Sequence, residues 1–247
     1  MTDEVIFCET PDDVADAAAE LIFEKEKEAV AERGVFRIAL AGGSTPKLLY
    51  ERLAAEEWRE EMSWESWEVY WSDERAVPLD HPESNYHLAH SHLLKHVPVR
   101  NIFRMFSDVS PRLSGGNMGG LEQAARDYQQ LMIKQFADPL PVFDVILLGM
   151  GTDGHTASLF PNSPALQSDQ LVAAVETNQK IQHRLTLTYR VLNAARTVIF
   201  LIAGEEKAEL VRDVLLNGDP SLPATHVKPE GGECYWILDD AAAHLLE

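Results

Sequence analysis

Apolar residues are spaced in two ways along this chain. Short apolar runs recur and predict buried strands, and between them apolar residues return at the three- and four-residue spacing of amphipathic helices. The predicted strands cover residues 36–40, 67–71, 143–148, 171–175, 185–188, 196–203 and 235–238. Near-continuous apolar strands separated by such helices favour a mostly parallel sheet with helices on both faces, which is a Rossmann-like α/β fold with room for a small subdomain.

Helix signals fall between the predicted strands. Thr10 and Pro11 supply a cap and a first-position proline, the acids behind them suit the positive end of a helix dipole, and Gly34 closes the segment. Further helices are expected from Pro46 onward and over residues 85–95, 121–136 and 205–217. The glycine-rich run 114–120 is expected to be a flexible surface loop.

Composition narrows the class of protein. A chain of 247 residues, 45% of them hydrophobic, can bury a full core, so one domain over residues 1–247 is expected. Its 40 acidic and 21 basic residues give a net charge of -19, which disfavours non-specific binding to nucleic acid or to an anionic membrane. The amino terminus does not resemble a signal peptide, and no apolar run approaches the roughly 20 residues that span a bilayer. A cytoplasmic location is expected.

The cysteine count argues against a disulfide framework. Cys8 and Cys234 are far apart, and each lies in an apolar or strand-like context. We expect both to be buried thiols.

A glycine-rich turn follows the first predicted strand. Gly42, Gly43, Ser44 and Thr45 stand just before the helix expected to begin at Pro46. Free N–H groups at a helix start, glycines that allow close approach and two hydroxyls suit a terminal phosphate without a metal. The spacing is not that of a Walker P-loop, and a capped turn without a ligand remains the alternative.

A second glycine-rich loop follows the strand at 143–148. Its sequence, LLGMGTDGHTASLFP over residues 147–161, carries Asp153 and His155. Histidine suits proton transfer near neutral pH, so His155 is a candidate general base, with Asp153 or Asp73 orienting it.

The same loop also matches G-x-G-x-x-G, the fingerprint of a dinucleotide site. Such a site needs a long helix after the last glycine and an acid about 20 residues further on. Glu176 satisfies the second requirement, but Pro161 and Pro164 interrupt the segment where the helix should run. The nicotinamide hypothesis is therefore the weaker one.

Charged residues near other strand ends complete the candidate site. Asp73 and Arg75 follow the strand at 67–71 and should open into the same crevice, where Arg75 can hold phosphate or carboxylate. Arg184 precedes a strand, and Lys207 lies at a helix start where the dipole alone would favour an acid. Each could also be an ordinary surface cation. No metal site is expected, because the histidines at 81, 87, 90, 92 and 96 lack a recognisable ligand pattern.

Taken together, these motifs resemble the 6-phosphogluconolactonase family, within the wider group that includes glucosamine-6-phosphate isomerases. The resemblance spans nearly the whole chain and rests on five segments in the family's order: LAGGSTPKLLYERL, WSDERAVPLDHPESNYHLA, LLGMGTDGHTASLFP, HRLTLTYRVLNAARTVIFLIAGEEKAELV and LPATHV.

The resemblance implies hydrolysis of 6-phospho-D-glucono-1,5-lactone to 6-phosphogluconate, in the oxidative pentose phosphate pathway, without a cofactor. It implies that His155 activates water and that Asp73 orients His155 or a substrate hydroxyl. It also implies a phosphate and sugar-acid site formed by Gly43, Ser44, Thr45, Arg75, Arg184 and Lys207. The small phosphorylated lactone is the only partner expected. The sequence does not determine the oligomeric state, and a monomer or a weak dimer is expected.

Two further functions stay open beside the lactonase and the nicotinamide enzyme. The isomerase branch continues its Asp-Gly-His loop with Phe-Asn-Glu-Pro, whereas Phe160 stands at the glutamate position here and cannot transfer a proton. A sugar-phosphate sensor without chemistry is the other, since phosphate-binding folds can lose catalysis. An intact set of Asp73, Arg75 and His155 disfavours it.

Overall fold

The computed structural model describes residues 3–106 and 118–246. Ten strands are present within these ranges: β1 Glu4–Cys8, β2 Phe36–Leu40, β3 Trp67–Trp71, β4 Asp73–Arg75, β5 Asn101–Ile102, β6 Val145–Leu148, β7 Val172–Glu176, β8 His183–Leu187, β9 Thr197–Ile202 and β10 Glu233–Asp239. The same ranges contain eight α-helices: α1 Pro11–Arg33, α2 Ser44–Leu53, α3 Glu56–Glu61, α4 Asn85–Ala89, α5 Met118–Phe136, α6 Tyr189–Leu192, α7 Ala208–Leu215 and α8 Asp240–Ala243.

The main sheet is parallel throughout. Across the described residues it has seven strands in the order β1-β10-β9-β6-β2-β3-β5, and every neighbouring pair runs in the same direction. Every residue of β6 and β9 is buried. Because successive side chains point to opposite faces of a sheet, full burial along a strand means that both faces are covered. The predicted α/β architecture is confirmed.

A second, smaller sheet is antiparallel and departs from the simple prediction. Among the described residues it has three strands in the order β4-β8-β7. The apolar runs at 171–175 and 185–188 do form strands, but they pair as a hairpin instead of joining the parallel sheet. The short connection between β7 and β8 explains this, since a parallel pair needs a crossover of a dozen or more residues.

Helix α1 begins and ends as its sequence predicts. The Thr10 hydroxyl accepts a hydrogen bond from the Asp13 backbone N–H, and the Asp13 carboxylate accepts one from the Thr10 N–H, which forms a capping box. At the other end Gly34 has φ +71°, and its N–H donates to the Val30 carbonyl.

Other helix boundaries shift. Helix α2 begins at Ser44, with Gly43 as its cap, so the predicted start at Pro46 was wrong by two residues. The expected helix over 205–217 divides into a 3₁₀ turn at Glu205–Lys207 and α7. Within the run expected to be a loop, Met118–Gly120 belong to α5, and residues 114–117 lie outside the described residues.

Cys8 and Cys234 are buried free thiols in the described structure, as predicted. Helices long and apolar enough to cross a membrane are absent from the part of the chain that the structure describes. A cytoplasmic location stays a prediction.

The central parallel strands bring the candidate residues to one edge. Strands β9, β6, β2 and β3 are neighbours in the sheet and run in the same direction. Their carboxyl ends therefore open on a common edge, which is where α/β sheets hold ligands. The segments that follow these ends are those singled out from the sequence: 203–207, 149–155, 41–45 and 72–75.

Candidate active site

A cleft of about 270 Å³ opens at this edge. It is lined by all but one of the residues predicted from sequence: Gly42, Gly43, Ser44, Thr45, Asp73, Arg75, His155, Arg184 and Lys207. Asp153 is the exception, and it contacts His155 from outside the lining. The lining also includes residues that sequence analysis did not single out, among them Ser72, Met150, Ala157 and Glu206.

The glycine turn after β2 is built to leave helix N–H groups available. Gly43 caps α2 at φ +117°, a conformation that L side chains rarely adopt, and it has no side chain to accept from the first turn. Ser44 and Thr45 follow as the first helical residues and line the cleft. Their backbone N–H groups and the positive end of the helix dipole suit an anion.

His155 and Asp153 form a hydrogen-bonded pair within one tight turn. His155 Nδ1 lies 2.5 Å from Asp153 Oδ1, and the His155 backbone N–H donates to the same oxygen at 3.1 Å. Burial acts to raise the pKa of Asp153, but the His155 charge and these hydrogen bonds outweigh burial, and the net shift is downward. The pair thus joins an ionised carboxylate to Nδ1, which leaves Nε2 as the nitrogen that can accept a proton.

Glycines make room for this pair. A Cβ on Gly151 would lie 2.1 Å from the His155 ring, and one on Gly154 would lie 2.6 Å from the Leu222 side chain. Gly154 also has φ +77°. The loop therefore needs glycine at both positions to bring the imidazole into the cleft.

Further contacts fix the loop and the ring. The Gly151 N–H donates to the His155 carbonyl at 2.8 Å, and the Thr156 hydroxyl donates to the Gly149 carbonyl at 2.9 Å. The Phe160 ring packs on the imidazole, with centroids 4.3 Å apart. The helix that a dinucleotide site requires does not follow: residues 155–163 form turns and extended backbone, and the next helical segment is the 3₁₀ turn Pro164–Gln167.

Asp73 has different partners from those expected. Its carboxylate accepts hydrogen bonds from Ser158 Oγ at 2.6 Å and from Asn85 Nδ2 at 3.0 Å, and Arg184 Nη1 lies 3.9 Å away. Between the two acids considered as partners of His155, the hydrogen bond is made by Asp153. Asp73 lines the cleft as a buried, fixed carboxylate.

Three cations face the cleft, and burial acts on two of them. Burial lowers the pKa of Arg184, with Asp73 opposing the shift. Burial also lowers the pKa of Lys207, against the charges of Glu206 and Asp153. Arg75 donates to the Glu83 carbonyl at 2.8 Å, and its buried Nε has no hydrogen-bond partner among the described residues. A bound anion would restore favourable interactions to all three cations.

Sequence reasoning missed the residues that hold Asp73. Ser158 lies in the histidine loop and Asn85 begins α4, and both are fully buried polar side chains. Both belong to quoted motifs, but their contacts depend on how the histidine loop, β4 and α4 pack together. A hydroxyl or amide in a loop gives no local signal of such contacts.

Comparison with known proteins identifies the family of this chain. Residues 9–236 match the family described as glucosamine-6-phosphate isomerases/6-phosphogluconolactonase. The 6-phosphogluconolactonase of Rattus norvegicus is 38% identical over 242 residues, which cover 96% of this chain and 91% of that protein. The 6-phosphogluconolactonase of Synechocystis sp. is 41% identical over 227 residues, covering 89% and 88% of the two chains.

A solved structure extends the agreement to three dimensions. The 6-phosphogluconolactonase of Trypanosoma cruzi superposes with a TM-score of 0.88 at 28% identity, covering 100% of this chain and 98% of that chain. The chain therefore belongs to the glucosamine-6-phosphate isomerase/6-phosphogluconolactonase family, as its motifs predicted.

Proposed function

We propose that this cleft hydrolyses 6-phospho-D-glucono-1,5-lactone to 6-phosphogluconate, a step of the oxidative pentose phosphate pathway. The observation that carries the proposal is the Asp153–His155 pair, which lies at the same cleft as three cations and a helix start that has no side-chain cap. The relatives called 6-phosphogluconolactonases support it, since they are similar over nearly the whole chain.

The phosphate binds at the glycine turn in this proposal. Backbone N–H groups of Ser44 and Thr45 donate to phosphate oxygens at the positive end of α2, and Gly43 allows the phosphate to approach the backbone. Arg75 lines the cleft and adds a guanidinium charge that can pair with the phosphate.

The chemistry is attack of water on the lactone carbonyl carbon C1. His155 Nε2 accepts a proton from the water while Asp153 holds Nδ1–H and stabilises the imidazolium. The carbonyl electrons move to oxygen and give a tetrahedral oxyanion, stabilised by the cations that line the cleft. When the oxyanion collapses, the bond from C1 to the ring oxygen breaks, and the ring oxygen takes the proton from His155. The product is the open-chain acid, and water is the only co-reactant.

Phe160 supports hydrolysis over isomerisation. Its ring packs directly on His155 and has no ionisable group. The position next to the imidazole therefore offers no second acid or base for moving a proton along a sugar chain.

Ligand-dependent thermal unfolding tests this function. A ligand that binds only the folded state increases the free energy of unfolding by RT ln(1 + [L]/Kd) and so raises the unfolding midpoint. We expect 6-phosphogluconate to raise the midpoint, unphosphorylated gluconate to raise it much less, and Arg75→Ala to remove most of that difference. Arg100→Ala is the matched control, because Arg100 is an exposed arginine paired with Glu65. Stabilisation by NAD or glucosamine 6-phosphate alone would contradict the proposal.

A further inference from the structure

Asn85 joins the two halves of the cleft through its side chain. Its amide is 1% exposed, and Nδ2 donates both to the Asp73 carbonyl at 2.9 Å and to the Asp73 carboxylate at 3.0 Å. On its other side the amide oxygen packs against Gly42, where a Cβ would lie only 1.8 Å from Asn85 Oδ1. One buried side chain thus contacts both the carboxylate and the glycine turn that line the cleft.

Asn85 is itself held in place by Glu74. The Glu74 carboxylate accepts from the backbone N–H groups of Asn85 and Tyr86, both at 2.7 Å, and from the Ser84 hydroxyl at 3.0 Å. These donors lie at the start of α4, where the Ser84 hydroxyl also acts as the helix cap by accepting from the His87 N–H at 3.1 Å, so the strand carboxylate adds to an ordinary cap. Burial raises the pKa of Glu74 to about 7, and these backbone donors oppose the shift because they favour the charged form. The hydrogen bonds of the Glu74 carboxylate hold in place the backbone that carries the Asn85 side chain.

The Asp73 carboxylate has one neutral donor for each oxygen. Asn85 serves Oδ1, and Ser158 from the histidine loop serves Oδ2 at 2.6 Å. Both donors are buried and lie within 3.0 Å of the carboxylate oxygens. These two hydrogen bonds hold the carboxylate in one orientation toward Arg184. Removing the Asn85 donor would leave Oδ1 buried and unsatisfied, which favours rotation of Asp73.

We infer that Asn85 is a positioning residue that sets the Asp73 carboxylate and the Gly42 turn at the separation the phosphorylated lactone requires. The inference rests on the proposed function. Asn85 does not touch substrate; it acts through Asp73 and Gly42. Its loss should reduce kcat through Asp73 and raise KM through the glycine turn.

Asn85→Asp is the sharpest test, because it keeps the shape of the side chain and replaces the donor by a second carboxylate oxygen about 3 Å from Asp73. At pH 7.5 we expect kcat/KM to fall on the order of 10²-fold, the loss associated with a 1 Å misplacement. At pH 5.5 part of the loss should be regained relative to wild type, since a proton shared by the two carboxyls restores a donor. Asn85→Ala should lose activity without regaining it in acid.

Other ionisable groups lie near Asn85, directly or beside Asp73 and Glu74. Comparing the pH profiles of wild type, Asn85→Asp and Asn85→Ala accounts for their titration. Asp73 and Glu74 on β4 are hydrogen-bonded to Asn85. Arg184 on β8 and Tyr50 on α2 interact with Asp73, and Tyr128 on α5 interacts with Glu74. All of these groups are present in wild type and in both variants. Their titration, including that of Glu74, therefore affects the pH dependence of kcat/KM in all three proteins. Only recovery specific to Asn85→Asp counts in favour of the inference.

Asn217→Asp is the matched control. Asn217 also donates its amide to an aspartate, Asp213, at 2.8 Å, but it is exposed and does not line the cleft. The control should keep wild-type kcat and KM at both pH values. Thermal unfolding of each variant shows whether it is folded.

The outcomes separate the inference from the proposed function. Absence of lactone turnover in wild type would defeat the proposed function. Turnover in wild type together with wild-type kcat/KM in folded Asn85→Asp, or a loss that is the same at both pH values, would overturn the inference alone. Should Asn85→Asp fail to fold, Asn85→Ala decides: an unchanged kcat overturns the inference, and a reduced kcat supports it.

Discussion

At the residue scale, contacts between candidate site residues were predictable where a tight turn brings the side chains together. Asp153 and His155 are two residues apart in one glycine loop, and their hydrogen bond follows from that spacing. The role of Asp73 could not be resolved in the same way. Its partners Ser158 and Asn85 are 85 and 12 residues away, and only the packed structure shows that each donates to one of its carboxylate oxygens.

This arrangement predicts the effect of Asp153→Asn. The amide can no longer accept as a carboxylate does, so His155 loses the group that fixes its tautomer and stabilises its charged form. We expect kcat for the lactone to fall on the order of 10²–10⁴-fold, with 6-phosphogluconate binding nearly unchanged. Steady-state kinetics and thermal-shift titration measure the two quantities.

Asp127→Asn is the control for that substitution, because Asp127 is an exposed aspartate on α5 that accepts a side-chain hydrogen bond from Gln123 and does not line the cleft. A kcat within about twofold of wild type in Asp153→Asn would remove Asp153 from the mechanism. A twofold change in kcat is small compared with the roughly 10²–10⁴-fold rate enhancement expected from a general base.

At the element scale, the central strands and the bounds of α1 were predictable, whereas other helix starts and the pairing of the antiparallel strands were not. Apolar runs located β2, β3, β6 and β9, and parallel strands necessarily present their carboxyl ends on one edge. The antiparallel sheet escaped prediction because β4 is three polar residues whose partner β8 lies more than a hundred residues later. No short-range pattern encodes a pairing of that separation.

The start of α2 gives an element-scale prediction. Gly43→Ala places a side chain at φ +117°, where an L residue is strained by about 1–2 kcal/mol. We expect lower stability together with a raised KM for the lactone, because the strained turn would move the N–H groups of Ser44 and Thr45. Gly218→Ala is the control, since Gly218 has φ +61° with open space around its Cα and does not line the cleft.

Both glycine variants should unfold at lower temperature, but only Gly43→Ala should bind 6-phosphogluconate more weakly. Equal affinity in the two variants would show that the turn does not hold the phosphate. Thermal unfolding with and without ligand supplies both comparisons.

At the scale of the whole molecule, the acidic composition and the cationic cleft are compatible. The net charge of -19 describes the protein as a whole, whereas Arg75, Arg184 and Lys207 contribute positive charge to the lining of the candidate cleft. Apolar runs predicted the fold class, but β1 was missed although residues 5–8 are all apolar. This strand lies at the edge of the sheet and is only partly buried.

The most direct test of the account is turnover of freshly generated 6-phosphogluconolactone by wild type and by His155→Ala. We expect wild type to hydrolyse the lactone well above the spontaneous rate and His155→Ala to lose at least about 10²-fold in kcat while still binding 6-phosphogluconate. A folded His155→Ala protein that hydrolyses the lactone at the wild-type rate would contradict the account.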